Sequence, residues 1–163
     1  MDVEALEKLN VAVGFLLQQK SILKIIETLK TAIHHTEEAF VWSVLDANSL
    51  SCELPEKIKS GWIFVLKKNV PSGCHYHPNS IQHMVVIEGQ GESQIAGIRK
   101  RMVQFGNPTC TLAERWYVIA QGVPHEFFPE EKDMVVISFH TSEAQALEEI
   151  DCQTGKRRLY EEE

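Results

Sequence analysis

From Phe40 onward the chain is a succession of short apolar runs cut by turn residues, and no other feature constrains its fold as much. The runs read FVWSVL, GWIFVLK, QHMVVIEG, ESQIAG, IRKRMVQF, RWYVIA, HEFF and DMVVISF. They are rich in Val, Ile, Phe, Tyr and Trp, side chains that suit a pleated, half-buried surface. Between them stand Pro71-Ser72-Gly73, Pro78-Asn79-Ser80, Gly89-Gln90-Gly91, Gly106-Asn107-Pro108 and Gly122-Val123-Pro124. Many short strands at this spacing predict a β-sandwich or barrel. The lack of long helical patterns between them disfavours a parallel α/β sheet. Glu143 to Ile150 reads as a short helix, and the closing GKRRLYEEE as a charged tail with room for one edge strand.

Residues 2–40 have a different texture, with no proline and a single glycine. Val3, Leu6, Leu9, Val13, Leu16 and Leu17 recur at steps of three and four, one face of a helix. The stripe fails at Gln18–Lys20 and resumes after Ser21, a good N-cap, with Ile22, Ile25, Ile26, Leu29 and Ile33. The expectation is two helices, or one broken near residue 20, forming an N-terminal arm over residues 1–39 ahead of a β-barrel over 40–163. The apolar faces must be covered by the rest of the chain or by a second subunit, which makes a homodimer the expected assembly.

A chain of 163 residues can bury one core without staples, so a single barrel is expected. Its net charge of -7 repels phosphate backbones and argues against nucleic acid as a general partner. The apolar run VAVGFLL falls far short of the ~20 residues of a membrane span, so no membrane partner is expected. Asp2, Glu4 and Glu7 stand where a secretory signal would be basic, which points to a cytoplasmic protein. Cys52, Cys74, Cys110 and Cys152 form no CxxC pair and are expected to be reduced thiols.

The chemistry concentrates in Gly73-Cys74-His75-Tyr76-His77-Pro78-Asn79-Ser80-Ile81-Gln82-His83. In a strand His75 and His77 point to the same face, because side chains alternate with period two. Two neutral imidazoles side by side are ready ligands for a divalent ion at ~2.0–2.2 Å. Gln82 follows His77 by five residues, and Gly89 follows by seven more. Further on, Gly122-Val123-Pro124-His125 sets a third histidine at the start of another strand.

With these residues the sequence resembles the cupin superfamily, in which an HxH, a Glu and a Gly form a first motif and a second motif supplies another histidine. His75, His77, Gln82 and Gly89 match the first in spacing, and Gly122 and His125 the second. The match covers roughly residues 60–140. It departs from the family where Gln82 replaces the usual glutamate, and where Asn69, Glu114, Ala120 and Pro129 replace motif Gly, Gly, Pro and Asn. The resemblance implies a mainly β fold, the double-stranded β-helix or jelly roll. It also implies a mononuclear divalent ion (iron, nickel, manganese or zinc) on His75, His77 and His125. Gln82 would be the fourth ligand or a supporting partner, with His83 its rival. Such a ligand set leaves the ion near +2 and favours a small anionic or enolisable oxygen ligand. Three histidines with open positions also suit Fe(II) and dioxygen. The function expected is a metal-dependent dioxygenase acting on a small oxygen- or carboxylate-bearing molecule. A non-catalytic module that binds or senses a small ligand is the alternative.

Other residues are assigned plainer roles. His34 and His35 read as surface residues, and His140 as a strand-end cap or surface residue. Cys74 should point away from the His75 face and pack. Arg99-Lys100-Arg101 and Lys156-Arg157-Arg158 read as solvated faces or as partners of the acidic tail. Trp62, Phe64, Met84, Val86 and Phe127 are candidate pocket walls.

Overall fold

The computed structural model describes residues 2–46, 49–50 and 52–160. Helix α1 (Val3–Leu16) begins where the Asp2 carboxylate accepts the Ala5 amide at 3.2 Å. Helix α2 (Lys20–Ala32) follows after a sharp bend of 83°. The break falls where the apolar stripe fails, but Ser21 is not its cap. Gln19 holds the cap position without a side-chain bond to the helix, and Ser21 lies inside the first turn. Among the described residues no single helix is long and apolar enough to cross a membrane.

The strands then follow as β1 (Phe40–Val44), β2 (Ser60–Leu66), β3 (His75–Tyr76), β4 (Gln82–Glu88), β5 (Gly91–Ile95) and β6 (Ile98–Arg101). After a one-turn helix α3 (Leu112–Arg115) come β7 (Tyr117–Ile119), β8 (His125–Pro129), β9 (Met134–His140), β10 (Glu148–Asp151) and β11 (Arg157–Leu159). One sheet has the order β1-β2-β9-β4-β7, and the other β11-β10-β3-β8-β5-β6. Their ladders are antiparallel, as a jelly roll requires.

The first sheet is buried on both faces, and its two faces pack into two separate cores. Trp62, Leu66, Met84, Val86, Met134 and Val136 point between the sheets and meet Phe127 of β8. Ile63, Val65, Val85, Val135, Ile137 and Phe139 point the other way, onto Leu6, Leu9, Val13 and Leu16 of α1 and Ile22, Ile26 and Leu29 of α2. This is why every residue of β9 is buried, with apolar residues on both faces in its first half and Ser138 and His140 inward in its second. Most of the arm's apolar stripe is therefore covered by its own sheet, while Val3, Val11, Phe15 and Leu23 stay exposed.

Gly89 closes the turn after β4 with φ +82°, and a Cβ there would lie 2.5 Å from the Asp133 carbonyl oxygen. The motif glycine is thus required by backbone conformation and by close approach.

Two expectations are corrected. Glu143 to Ile150 is not a helix. Only Ala144–Ala146 make a 3-10 turn, after which β10 pairs with β3, Ile150 opposite Tyr76 and Asp151 opposite His75. The same pairing brings Cys74 and Cys152 together, Cα atoms 5.5 Å apart, and they form a disulfide. Cys52 and Cys110 alone are free thiols, so the cysteines no longer support a reducing compartment.

Candidate metal centre

The β3–β8 ladder sets His75 directly opposite His125, and strand alternation puts His77 on the same inward face. Ring centroids are 4.4 Å apart for His75 and His125, and 5.3 Å for each other pair. One nitrogen from each ring can be chosen so that all three lie within 4.8 Å of one another.

Hydrogen bonds decide which nitrogen that is. His75 Nδ1 lies 3.2 Å from the Gly73 carbonyl oxygen, His77 Nδ1 2.8 Å from that of Glu148, and His125 Nδ1 2.9 Å from that of Val123. A carbonyl only accepts, so each Nδ1 carries the proton and donates it. Each Nε2 is left with a bare lone pair, and backbone carbonyls hold the ligand tautomer as partners of metal-bound histidines commonly do. His125 Nε2 is buried with no partner. Unprotonated ring nitrogens crowded within 4.8 Å of one another repel unless a cation lies between them.

Electrostatics agrees with this arrangement. Burial, and then the neighbouring His77, push His75 down from 6.5 to about 3. Burial is likewise the first cause holding His125 well below its ordinary value and lowering His77. The rings therefore stay neutral at neutral pH, the form that binds a metal.

The first sheet supplies the facing wall. Gln82, at the start of β4, is 5% exposed and lines the cavity, while His83 lies on the opposite face of that strand. Gln82 Nε2 donates to Ser138 Oγ at 2.9 Å, and Oε1 is buried with no partner. A buried amide oxygen without a donor costs free energy, and a cation or a bound hydroxyl would satisfy it. The residues thus fit a divalent ion: three inward lone pairs and an orphaned oxygen.

His140 corrects a sequence expectation. It ends β9 but is 1% exposed, lines the cavity, and sits 5.0 Å ring to ring from His77. Its Nδ1 is 2.9 Å from Ser80 Oγ. Met84, Phe64 and Phe127 line the cavity as expected, whereas Trp62 and Val86 belong to the adjoining core. Phe40 and Tyr160 complete the wall. The free volume is about 30 Å³, against ~150 Å³ for a cavity that admits benzene, so it holds a water or two.

Glu149 and Tyr160 escaped the sequence reading. Glu149 shares the inward face of β10 with Asp151, which pairs with His75. Its Oε1 lies 3.6 Å from His75 Nε2. The only signal in the sequence was the acidic run Glu148-Glu149, which resembles any surface pair. Arg158 is not simply solvated, since its guanidinium lies 3.6 Å from Glu149 Oε2 and over the rings of Phe40 and Trp42.

Comparison with known proteins supplies the fold. No family model matches the chain, and no curated protein matches it. The salicylate 1,2-dioxygenase of Pseudaminobacter salicylatoxidans matches at TM-score 0.53 and 9% identity, over 72% of this chain and 33% of that one. A point mutant of the same enzyme matches at 0.54 and 10%, over 76% and 33%. Oxalate oxidase in complex with glycolate matches at 0.47 and 16%, over 66% and 53%. The chain spans a third to about half of the length of these proteins. At such identities the likeness is one of fold alone, and the fold is that of the cupins: a double-stranded β-helix with a histidine triad able to hold a metal.

Proposed function

We propose that this chain is a metal-dependent dioxygenase acting on a small oxygen- or carboxylate-bearing molecule. The observation that carries the reading is the clustering of His75, His77 and His125, with one ligand nitrogen of each within 4.8 Å of the others and each Nδ1–H donated to a backbone carbonyl. His75, His77 and His125 would hold the ion, with Gln82 Oε1 beside them. A redox-active divalent ion such as iron would supply the site at which dioxygen and a substrate oxygen meet.

The chain's own residues do the rest. The carbonyls of Gly73, Glu148 and Val123 orient the imidazoles, and burial keeps them unprotonated. Phe40, Phe64 and Phe127 exclude bulk water from the cavity. Ser138 holds the Gln82 amide so that its oxygen, and not its NH₂, faces inward. The cavity's small free volume argues against aromatic rings as ligands, and a small acid would enter only with some movement of the walls.

A second reading is a module that binds or senses a small ligand without turnover. Metal content, measured on untagged protein purified without added metal, tests the first requirement. One ion per chain is expected, absent from His77→Ala. Dioxygen consumption with a panel of small oxygenated acids then separates the readings. Binding without consumption across the panel would favour the sensor.

A further inference from the structure

The glutamate missing from the first cupin motif has a counterpart elsewhere in this barrel. We propose that Glu149 of β10 is the carboxylate ligand of the metal centre, restoring from a different strand the negative charge that Gln82 cannot provide. This rests on metal binding by the three histidines and not on the identity of any reaction.

Position comes first. Glu149 and the triad share one interior face, because β10 pairs with β3 in a register that sets Asp151 opposite His75. The carboxylate is 8% exposed and adjoins the imidazole cluster on its His75 side, with Oε1 3.6 Å from His75 Nε2. Two donors each ~2.1 Å from one ion lie about 3.0 Å apart at a right angle and about 3.4 Å apart at the tetrahedral angle. The spacing to His75 is close to that range, but Glu149 lies outside the set of ligand atoms within 4.8 Å of one another, so its side chain must turn towards His77 and His125 to share their ion.

The other carboxylate contacts leave room for a metal. The Tyr160 hydroxyl, buried like its partner, donates to Glu149 Oε1. Arg158 Nε lies 3.6 Å from Oε2. Each carboxylate oxygen has two lone pairs, so Tyr160 occupies one on Oε1 and leaves another towards the imidazoles. Tyr160 also lines the cavity and stacks edge-on against Trp42 at 5.0 Å and Phe64 at 5.7 Å, which fixes the hydroxyl that aims the carboxylate. A buried carboxylate supported by a hydroxyl and a guanidinium is the usual environment of an oriented ligand.

Charge gives the reason. Three imidazoles and an amide leave a divalent ion at about +2 in an apolar cavity, which is costly. A single carboxylate halves that charge.

The test uses full-length apoprotein titrated with Co(II) and followed by visible absorption. The native chain should bind one Co(II), and His77→Ala none. Retention of Co(II) by His77→Ala would sink the three-histidine centre itself and is read separately from Glu149. Glu149→Gln should keep the fold, checked by circular dichroism. It should weaken Co(II) binding by at least about tenfold, the loss typical of a group that merely supports a ligand, and shift the d–d bands. Glu149→Asp, one carbon shorter but still anionic, should recover part of the affinity even if Glu149→Gln folds poorly. Adding Gln82→Glu to Glu149→Gln should restore affinity by returning the carboxylate to the motif position. Unchanged affinity in Glu149→Gln overturns the proposal. So does weakened affinity with unchanged bands, which would place the carboxylate outside the coordination sphere, and so does failure of Gln82→Glu to restore binding.

Discussion

The two faces of β4 and β9 carry opposite chemistry on the same strands. Towards the helices, Val85, Ile137 and Phe139 meet α1 and α2 in a largely apolar layer that also holds the half-buried His83. Towards the second sheet, Gln82, Ser138 and His140 face the three imidazoles, among Met84, Val136 and Phe127. The helix-covered face bears the stability of the barrel. The inner face gives some of it up, since it buries neutral histidines and an amide oxygen with no donor. A strand can do both because alternate residues never share a side, so a polar site can be cut into one face without disturbing packing on the other.

Acidification should separate the faces most strongly. His75, His77, His125 and His140 all titrate below their ordinary value because of burial. Between 6.5 and the depressed native value, about 3 for His75, the unfolded chain binds protons that the folded chain does not. Stability of the apoprotein therefore falls as pH drops through that window, by up to about 1.4 kcal/mol per pH unit for each histidine. Thermal melts at pH 7.5 and 5 should show a large loss, and added Zn(II) should blunt it. A flat profile for the apoprotein would break the contrast.

Next in size is Phe139→Ala on the helix-facing side, where the ring is fully buried. It should cost about 3–5 kcal/mol by urea unfolding and leave the metal stoichiometry untouched. Loss of metal without loss of stability would mean that the two faces are coupled. Cys152→Ser removes a crosslink spanning 78 residues beside His75 and should cost about 2–4 kcal/mol in the same assay. Native protein in strong reductant should match it. Smallest is Lys30→Ala, which opens a 2.9 Å ion pair with Glu88 at the rim between α2 and β4. The pair is partly exposed, so the change should stay under about 1 kcal/mol and fade in salt.

Much of this was legible in the linear chain. The runs QHMVVIEG and DMVVISF became β4 and β9, and the failure of the apolar stripe at Gln18–Lys20 marks the break between the helices. His75 and His77 had to share a face once they lay in a strand, and Gly89 and Gly122 both adopt positive φ. What misled was position without partners. His140 looked like a strand end open to solvent, and Cys74 like a packing residue, because nothing local shows what faces them. Glu143 to Ile150 suggested a helix because short polar segments carry little periodicity.

The sequence by itself determined which residues share a side, since local alternation and turn chemistry depend on near neighbours alone. Only the tertiary structure decided which sides meet. The β3–β8 ladder joins His75 to His125 across 50 positions. The β3–β10 ladder brings Cys152 to Cys74 and Glu149 to the imidazoles. Those meetings follow from pairing register and from the burial of two cores at once, and both are properties of the whole barrel.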